Sequence, residues 1–169
     1  VKKTLMNKFF IGLILLCLCI CTQAGQRPFK ITAKSWLTFS QGQILKGQNT
    51  DEVRSIGSIT KLVTAMVYLD QYKGVMSKSD QNLFQRMIVH SDNRASKILC
   101  DKVPDCVAMM NYKAKSLGLV NTKFTEPSGL SVFNVSSAEE LIKIVQAASN
   151  YPEIVQASQI AKGNTNPTI

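Results

Sequence analysis

Ser58 and Lys61 stand three residues apart at the head of an apolar segment, a spacing that puts a hydroxyl and an amine on one side of a helix. A serine hydroxyl is a poor nucleophile until a base within hydrogen-bond reach takes its proton. Lys61 is placed to be that base if desolvation or nearby positive charge lowers its pKa from the free value of ~10.4. The backbone N–H of Ser58 lies at the helix start, where unpaired donors and the dipole favour a developing oxyanion. Gly57, just before it, leaves room for a substrate close to the backbone. Thirty residues beyond Lys61 comes Ser91-Asp92-Asn93. The Ser91 hydroxyl could relay a proton between Lys61 and a leaving amine. The Asn93 amide could orient Lys61 and bind a peptide carbonyl. No His/Cys/Asp spacing asks for a metal, and no residue pattern asks for a cofactor.

The bland readings have weight. Ser-x-x-Lys alone occurs often by chance, and alone it is more often structural than catalytic. Its position at a helix start, followed by Ser-Asp-Asn, reverses that balance. His90 is the only histidine and sits beside Ser91, but adjacent residues on a helix or tight turn point in different directions. It reads as a surface or part-buried residue. Met66, Met109 and Met110 read as packing residues.

A length of 169 residues with 45% hydrophobic and 18% charged content describes one folded domain or a piece of one. Lys2, Lys3 and Lys8 carry three of the positive charges, so the formal charge of +9 drops to about +6 beyond residue 24. The other basic residues are scattered without aromatic interleaving, which argues against nucleic-acid binding. Those three lysines precede an apolar run, Phe9 to Cys21, and small residues at Thr22 and Ala24, the pattern of an export signal cleaved after Ala24. The run is too short for a comfortable membrane span of about 20 residues. An uncleaved anchor is the alternative, and the only membrane association expected. Loss of the signal would leave Cys100 and Cys106, either as a disulfide around Pro104 or as two buried thiols.

The elements that must position these groups follow from periodicity and punctuation. Ser35–Phe39 and Ile44–Leu45 read as strands of a hairpin turning at 41–43. A helix is predicted over Ser58–Tyr72, with Leu62, Ala65, Met66, Leu69 and Tyr72 as one apolar stripe, and Gly74 ends it. Further helices are predicted over Ser79–Val89, from Asp92 towards Cys100, and over Asp105–Leu117. Val120–Phe124 reads as extended, and Glu126–Gly129 as a turn. Ser136 reads as the N-cap of a helix running to Ala148, and Pro152 opens a last short one. Residues 163–168 read as a loop.

The stretch Ser55–Asp70 resembles the active-site segment of low-molecular-mass penicillin-binding proteins, with the D-alanyl-D-alanine endopeptidase subgroup of the serine DD-peptidases as the nearest match. The likeness continues through Ser91–Ala95, Ala114–Leu119, Glu126–Ser131 and Asn134–Ser136, covering roughly residues 35–166. The resemblance implies a mixed α+β fold of the serine β-lactamase/DD-peptidase type. It implies Ser58 as the acyl-forming serine, Lys61 as its base, and Ser91 and Asn93 as the second catalytic element. Peptidoglycan peptides would be the substrates, β-lactams covalent inhibitors, and the periplasm or the bacterial cell envelope the location. On this reading residues 1–24 are a signal peptide and 25–169 a partial DD-peptidase domain.

The chain departs from that pattern in specific places. It is shorter than the family between Gly74 and Ser91, and abbreviated between Ile160 and Asn164. No Lys-Thr-Gly follows. In the family that strand contributes a carboxylate contact and a second oxyanion donor. The expectation is therefore a C-terminally truncated member with an incomplete antiparallel sheet. A non-catalytic fragment or peptidoglycan-binding remnant is the alternative, and a class A β-lactamase relative the weaker one.

Overall fold

A hairpin opens the described structure. Trp36–Ser40 (β1) and Gln43–Gln48 (β2) pair antiparallel, with Leu37 opposite Gly47 and a register shift between Thr38 and Phe39. Gln41 and Gly42 both have positive φ (49° and 81°), the two-residue turn whose twist matches the strands. The first strand is shifted by one residue from the expected Ser35–Phe39, and the second extends beyond the expected Ile44–Leu45 at both ends. The computed structural model describes residues 31–72 and 75–160. The export-signal reading of 1–24, the helix stop at Gly74 and the loop at 163–168 therefore lie outside the described residues. The chain divides into two units, Val1–Ala33 and Lys34–Ile169, and every strand and helix among the described residues lies in the second.

A two-residue strand, Arg54–Ser55 (β3), pairs antiparallel with Val135–Ser136 (β4), and a tight turn at Gly57–Ile59 leads into Thr60–Gln71 (α1). Then come Lys78–Val89 (α2), Asn93–Cys100 (α3), Cys106–Ser116 (α4), Ala138–Ala148 (α5) and Pro152–Ser158 (α6). The result is mixed α+β, with two separate two-stranded sheets among the described residues.

α1 is the axle. It packs against α2, α3, α4 and α5, and Val63 through Tyr68 are all buried. The single stripe expected from Leu62, Ala65, Met66, Leu69 and Tyr72 is therefore a partial view. Leu62 and Leu69 are only partly buried and Tyr72 is exposed, while Val63, Thr64, Val67 and Tyr68 are inside. A helix surrounded on every side buries every side, so its apolar residues need not follow one stripe. Around it Phe84, Met87, Leu99, Met110, Phe124 and Ile144 complete the core. Met66 and Met110 are fully buried and Met109 packs on the core, as packing residues.

Several helix ends differ by a residue or so from expectation, each for a visible reason. Ser77 caps α2 by accepting from the Asp80 N–H at 3.1 Å. Ser137, not Ser136, caps α5, accepting from the Glu140 N–H at 3.3 Å. Ser136 is occupied as a strand residue opposite Arg54. The Glu140 carboxylate accepts from Val120 N, Asn121 N and Thr122 Oγ1, fixing the segment after α4. Cys100 and Cys106 form a disulfide with Cα atoms 5.5 Å apart, joining the end of α3 to the start of α4.

Candidate functional site

Ser58 lies in the tight turn ahead of α1 rather than in the helix itself, and Lys61 is in the helix's first turn. Gly57 precedes it with φ of +52°, a left-handed conformation that brings the chain sharply into the turn. Lys61 Nζ donates to Ser58 Oγ at 3.1 Å and to the Ser128 carbonyl at 2.6 Å. The local spacing in the sequence thus translates directly into contact.

Ser91 reaches the same hydroxyl from a distant part of the chain, its Oγ donating to Ser58 Oγ at 2.8 Å. Its backbone is left-handed (φ 56°), an uncommon state for a serine that sharply redirects the chain after α2. Asp92, the middle residue of Ser-Asp-Asn, holds that bend. It caps α3 by accepting from Arg94 N at 2.8 Å and Ala95 N at 3.0 Å, and it pairs with Arg86 on α2. These backbone donors, with the Arg86 charge, keep its carboxyl below the usual range against the opposing effect of burial.

Asn93 is the first residue of α3, and it accepts from Ser96 Oγ through its own carbonyl at 2.8 Å. Among the described residues Lys61 Nζ donates to Ser58 Oγ and the Ser128 carbonyl, and no hydrogen bond joins it to the Asn93 amide. Asn93 instead lines a cleft of about 880 Å³ together with Arg94, the Cys100–Cys106 disulfide, Ser128 and Leu130. His90 is exposed at the end of α2.

Lys61 is buried, only 3% exposed. Burial lowers its pKa from the ordinary lysine value, while the charges of Glu126 and Asp92 pull it back up. A desolvated amine is more readily neutral, and a neutral amine is what a general base requires.

The residues that sequence reasoning passed over are those around Lys61. Glu126 accepts from Ser128 N at 2.7 Å and Ser128 Oγ at 2.5 Å on one oxygen. Its other oxygen takes Gly129 N at 2.5 Å, Ser131 N at 3.4 Å and Asn134 Nδ2 at 2.8 Å. Asn134 is fully buried; its Nδ2 also donates to Thr60 Oγ1 at 3.1 Å, and its Oδ1 accepts from Thr125 N at 2.7 Å. Thr64 Oγ1 donates to the Pro127 carbonyl at 2.7 Å. The signal available was the turn Glu-Pro-Ser-Gly itself, with an acid two residues before a serine N–H it can satisfy.

Comparison with known proteins places the chain. The chain belongs to the D-alanyl-D-alanine carboxypeptidase family, whose sequence profile matches residues 21–81 and 73–167. It is similar to the D-alanyl-D-alanine endopeptidase of Escherichia coli (strain K12), at 35% identity over 165 residues, covering 81% of this chain and 53% of the relative. The D-alanyl-D-alanine endopeptidase of Pseudomonas aeruginosa is also 35% identical, over 145 residues, covering 69% of this chain and 47% of that protein. Among solved structures, penicillin-binding protein D2 from Listeria monocytogenes in its ampicillin-bound form superposes with a TM-score of 0.68 at 26% identity, covering 78% of this chain and 68% of that one. The chain spans about half the length of the curated relatives it matches. The fold is thus of the DD-peptidase type anticipated from Ser55–Asp70 and the later motifs.

Proposed function

We propose that this chain is a serine-type D-Ala-D-Ala peptidase acting on peptidoglycan peptides through an acyl-enzyme at Ser58. The observation that carries the reading is Lys61 Nζ, buried and 3.1 Å from Ser58 Oγ. In the reaction, neutral Lys61 takes the Ser58 proton as Oγ attacks the carbonyl of the scissile D-alanyl bond. The tetrahedral adduct collapses, the C–N bond breaks, and the leaving amine receives the proton from Lys61 through the Ser91 hydroxyl. Water then attacks the ester, and Ser58 regains its proton. Asn93, at the edge of the cleft, is assigned to the substrate peptide. β-Lactams would acylate Ser58 in the same way, in line with the ampicillin-bound relative.

Residues 1–24 are proposed as a signal for export to the bacterial envelope and 25–169 as the peptidase domain. Incubation with a D-Ala-D-Ala-terminated peptide and with a cross-linked muropeptide dimer tests the activity and separates carboxypeptidase from endopeptidase. Release of D-alanine or of muropeptide monomer that disappears in Ser58→Ala is expected. Release that persists in Ser58→Ala would contradict the assignment. A second reading is non-catalytic binding of peptidoglycan. It predicts co-sedimentation with cell-wall material and no release of either product.

A further inference from the structure

The turn at 126–131 is far removed in sequence from Ser58 and Lys61, yet it touches both. Ser128 gives its carbonyl to Lys61 Nζ at 2.6 Å. Gly129, with φ of +86°, lies so close to the Gly57–Ser58 backbone that an added Cβ would stand 1.9 Å from the Gly57 carbonyl oxygen and 2.9 Å from Ser58 N. One side of this turn therefore backs the nucleophile, and the other holds the base. What gives the turn its shape is one carboxylate. Glu126 gathers the N–H groups of Ser128, Gly129 and Ser131, the Ser128 hydroxyl and the Asn134 amide. Every one of those partners donates, so a carboxylate suits the place and a carboxamide does not: one of its two ends would turn an NH₂ towards N–H groups.

We propose that Glu126 is a positioning residue of the reaction: its carboxylate folds residues 126–131 into the turn that presents the Ser128 carbonyl to Lys61 and seats Gly129 against the Gly57–Ser58 backbone. The proposal rests on the reading of Lys61 as the base of Ser58. Glu126 does not touch the reacting hydroxyl and acts through Ser128 and Gly129. The charged groups bearing on Lys61 are Glu126, from this turn, and Asp92, from the cap of α3; both favour the ammonium, and burial opposes them. Opening the turn would remove the carbonyl partner of Lys61 and let water reach it; burial is the largest influence on Lys61, so its relief outweighs the lost acceptor and favours the ammonium. Removing the charge alone, with the turn intact, would leave Lys61 dry and favour the neutral amine more strongly.

These two consequences have opposite sign, and that makes the test decisive. The full chain, with selectively ¹³C-labelled lysine, is titrated by NMR as wild type, Glu126→Gln and Ser128→Ala, with Lys61→Arg used to assign the Lys61 signal. In parallel the rate of acylation by a fluorescent penicillin is measured. For Glu126→Gln the proposal expects the Lys61 midpoint to rise towards ordinary lysine, and acylation to slow by about 10²-fold, the usual consequence of a reacting group displaced by about an ångström. Ser128→Ala keeps the carbonyl and loses only one of the five donors, so it should show a smaller shift of the same sign and stays informative if Glu126→Gln does not fold. An unchanged midpoint would overturn the proposal by leaving Glu126 a merely structural acid. A lowered midpoint would overturn it by showing that Glu126 acts only as a charge. Because the titration needs no turnover, absence of acylation in the wild type would count against Lys61 and Ser58 as a catalytic pair, separately from the role of Glu126.

Discussion

The proposed role of Lys61 as a base asks for an amine that is desolvated and held in place; its burial meets the first need, and its hydrogen bonds to Ser58 Oγ and Ser128 O meet the second. A guanidinium could make similar contacts but does not deprotonate in proteins. Lys61→Arg is therefore expected to slow acylation of Ser58 by at least ~10²-fold, the lower end of what a positioned general base contributes. In the wild type the acylation rate should climb with pH to a midpoint below that of a free lysine, because burial lowers Lys61. A stopped-flow pH series measures both. A second buried charge stabilises rather than reacts. Asp80 on α2 accepts from Tyr68 Oη at 3.1 Å and pairs with Lys102. The Lys102 contact, followed by Tyr68, holds the Asp80 carboxyl below its usual range although burial opposes it. The folded state thus binds fewer protons than the unfolded chain between the two pKa values. Its contribution is complete above the unfolded value of ~3.9 and is lost as pH falls through the lower folded one. Asp80→Asn should cost about 1–3 kcal/mol at pH 7 in urea unfolding, and the gap from wild type should narrow as pH falls through the lowered Asp80 pKa.

At the scale of elements, the site is a junction between the head of α1, the α2–α3 bend and the turn at 126–131. Gly129→Ala tests that junction. The added methyl has to enter a left-handed backbone at roughly 1–2 kcal/mol and also displace the Gly57 carbonyl. The expected outcome is a protein that still melts cooperatively but acylates Ser58 at least ~10²-fold more slowly; wild-type acylation would show that the contact is incidental. The sequence pattern revealed most helices because each carries its own period and its own caps, as Ser77 and Asp92 show. It placed Ser58 beside Lys61 because three residues of helix are local geometry. The β3–β4 ribbon was not legible, since two-residue strands have no period to read. Nor were Glu126 and Asn134 legible as part of the site, because Asn134 and the Ser128 that Glu126 holds meet α1 only after residues more than sixty positions apart have packed together. The cap of α5 was misplaced for a related reason: Ser136 and Ser137 are equally good caps locally, and the pairing of Ser136 with Arg54 decides between them.

Across the whole molecule, the helices share one core while the hairpin stands largely outside it. β1 packs on α5, but Phe39, Ile44 and Leu45 remain exposed, Leu45 at 66%. β1 and β2 pair only with each other, so each leaves an outer edge open among the described residues. Open edges with apolar neighbours invite pairing with another chain. Residues 25–169 in isolation should therefore self-associate, seen as a concentration-dependent rise in sedimentation coefficient, and Leu45→Lys should reduce it. A strictly monomeric wild type would show that the hairpin is covered in solution.

Ser58 is the residue proposed to carry the acyl group. The most direct test is intact-mass and peptide-mapping analysis of the chain after exposure to a fluorescent penicillin, run beside Ser58→Ala. The geometry of Lys61 and Ser91 around Ser58 predicts a single adduct on Ser58 in the wild type and none in the variant. An adduct on another residue, equal labelling of Ser58→Ala, or no labelling of the folded wild type would contradict it.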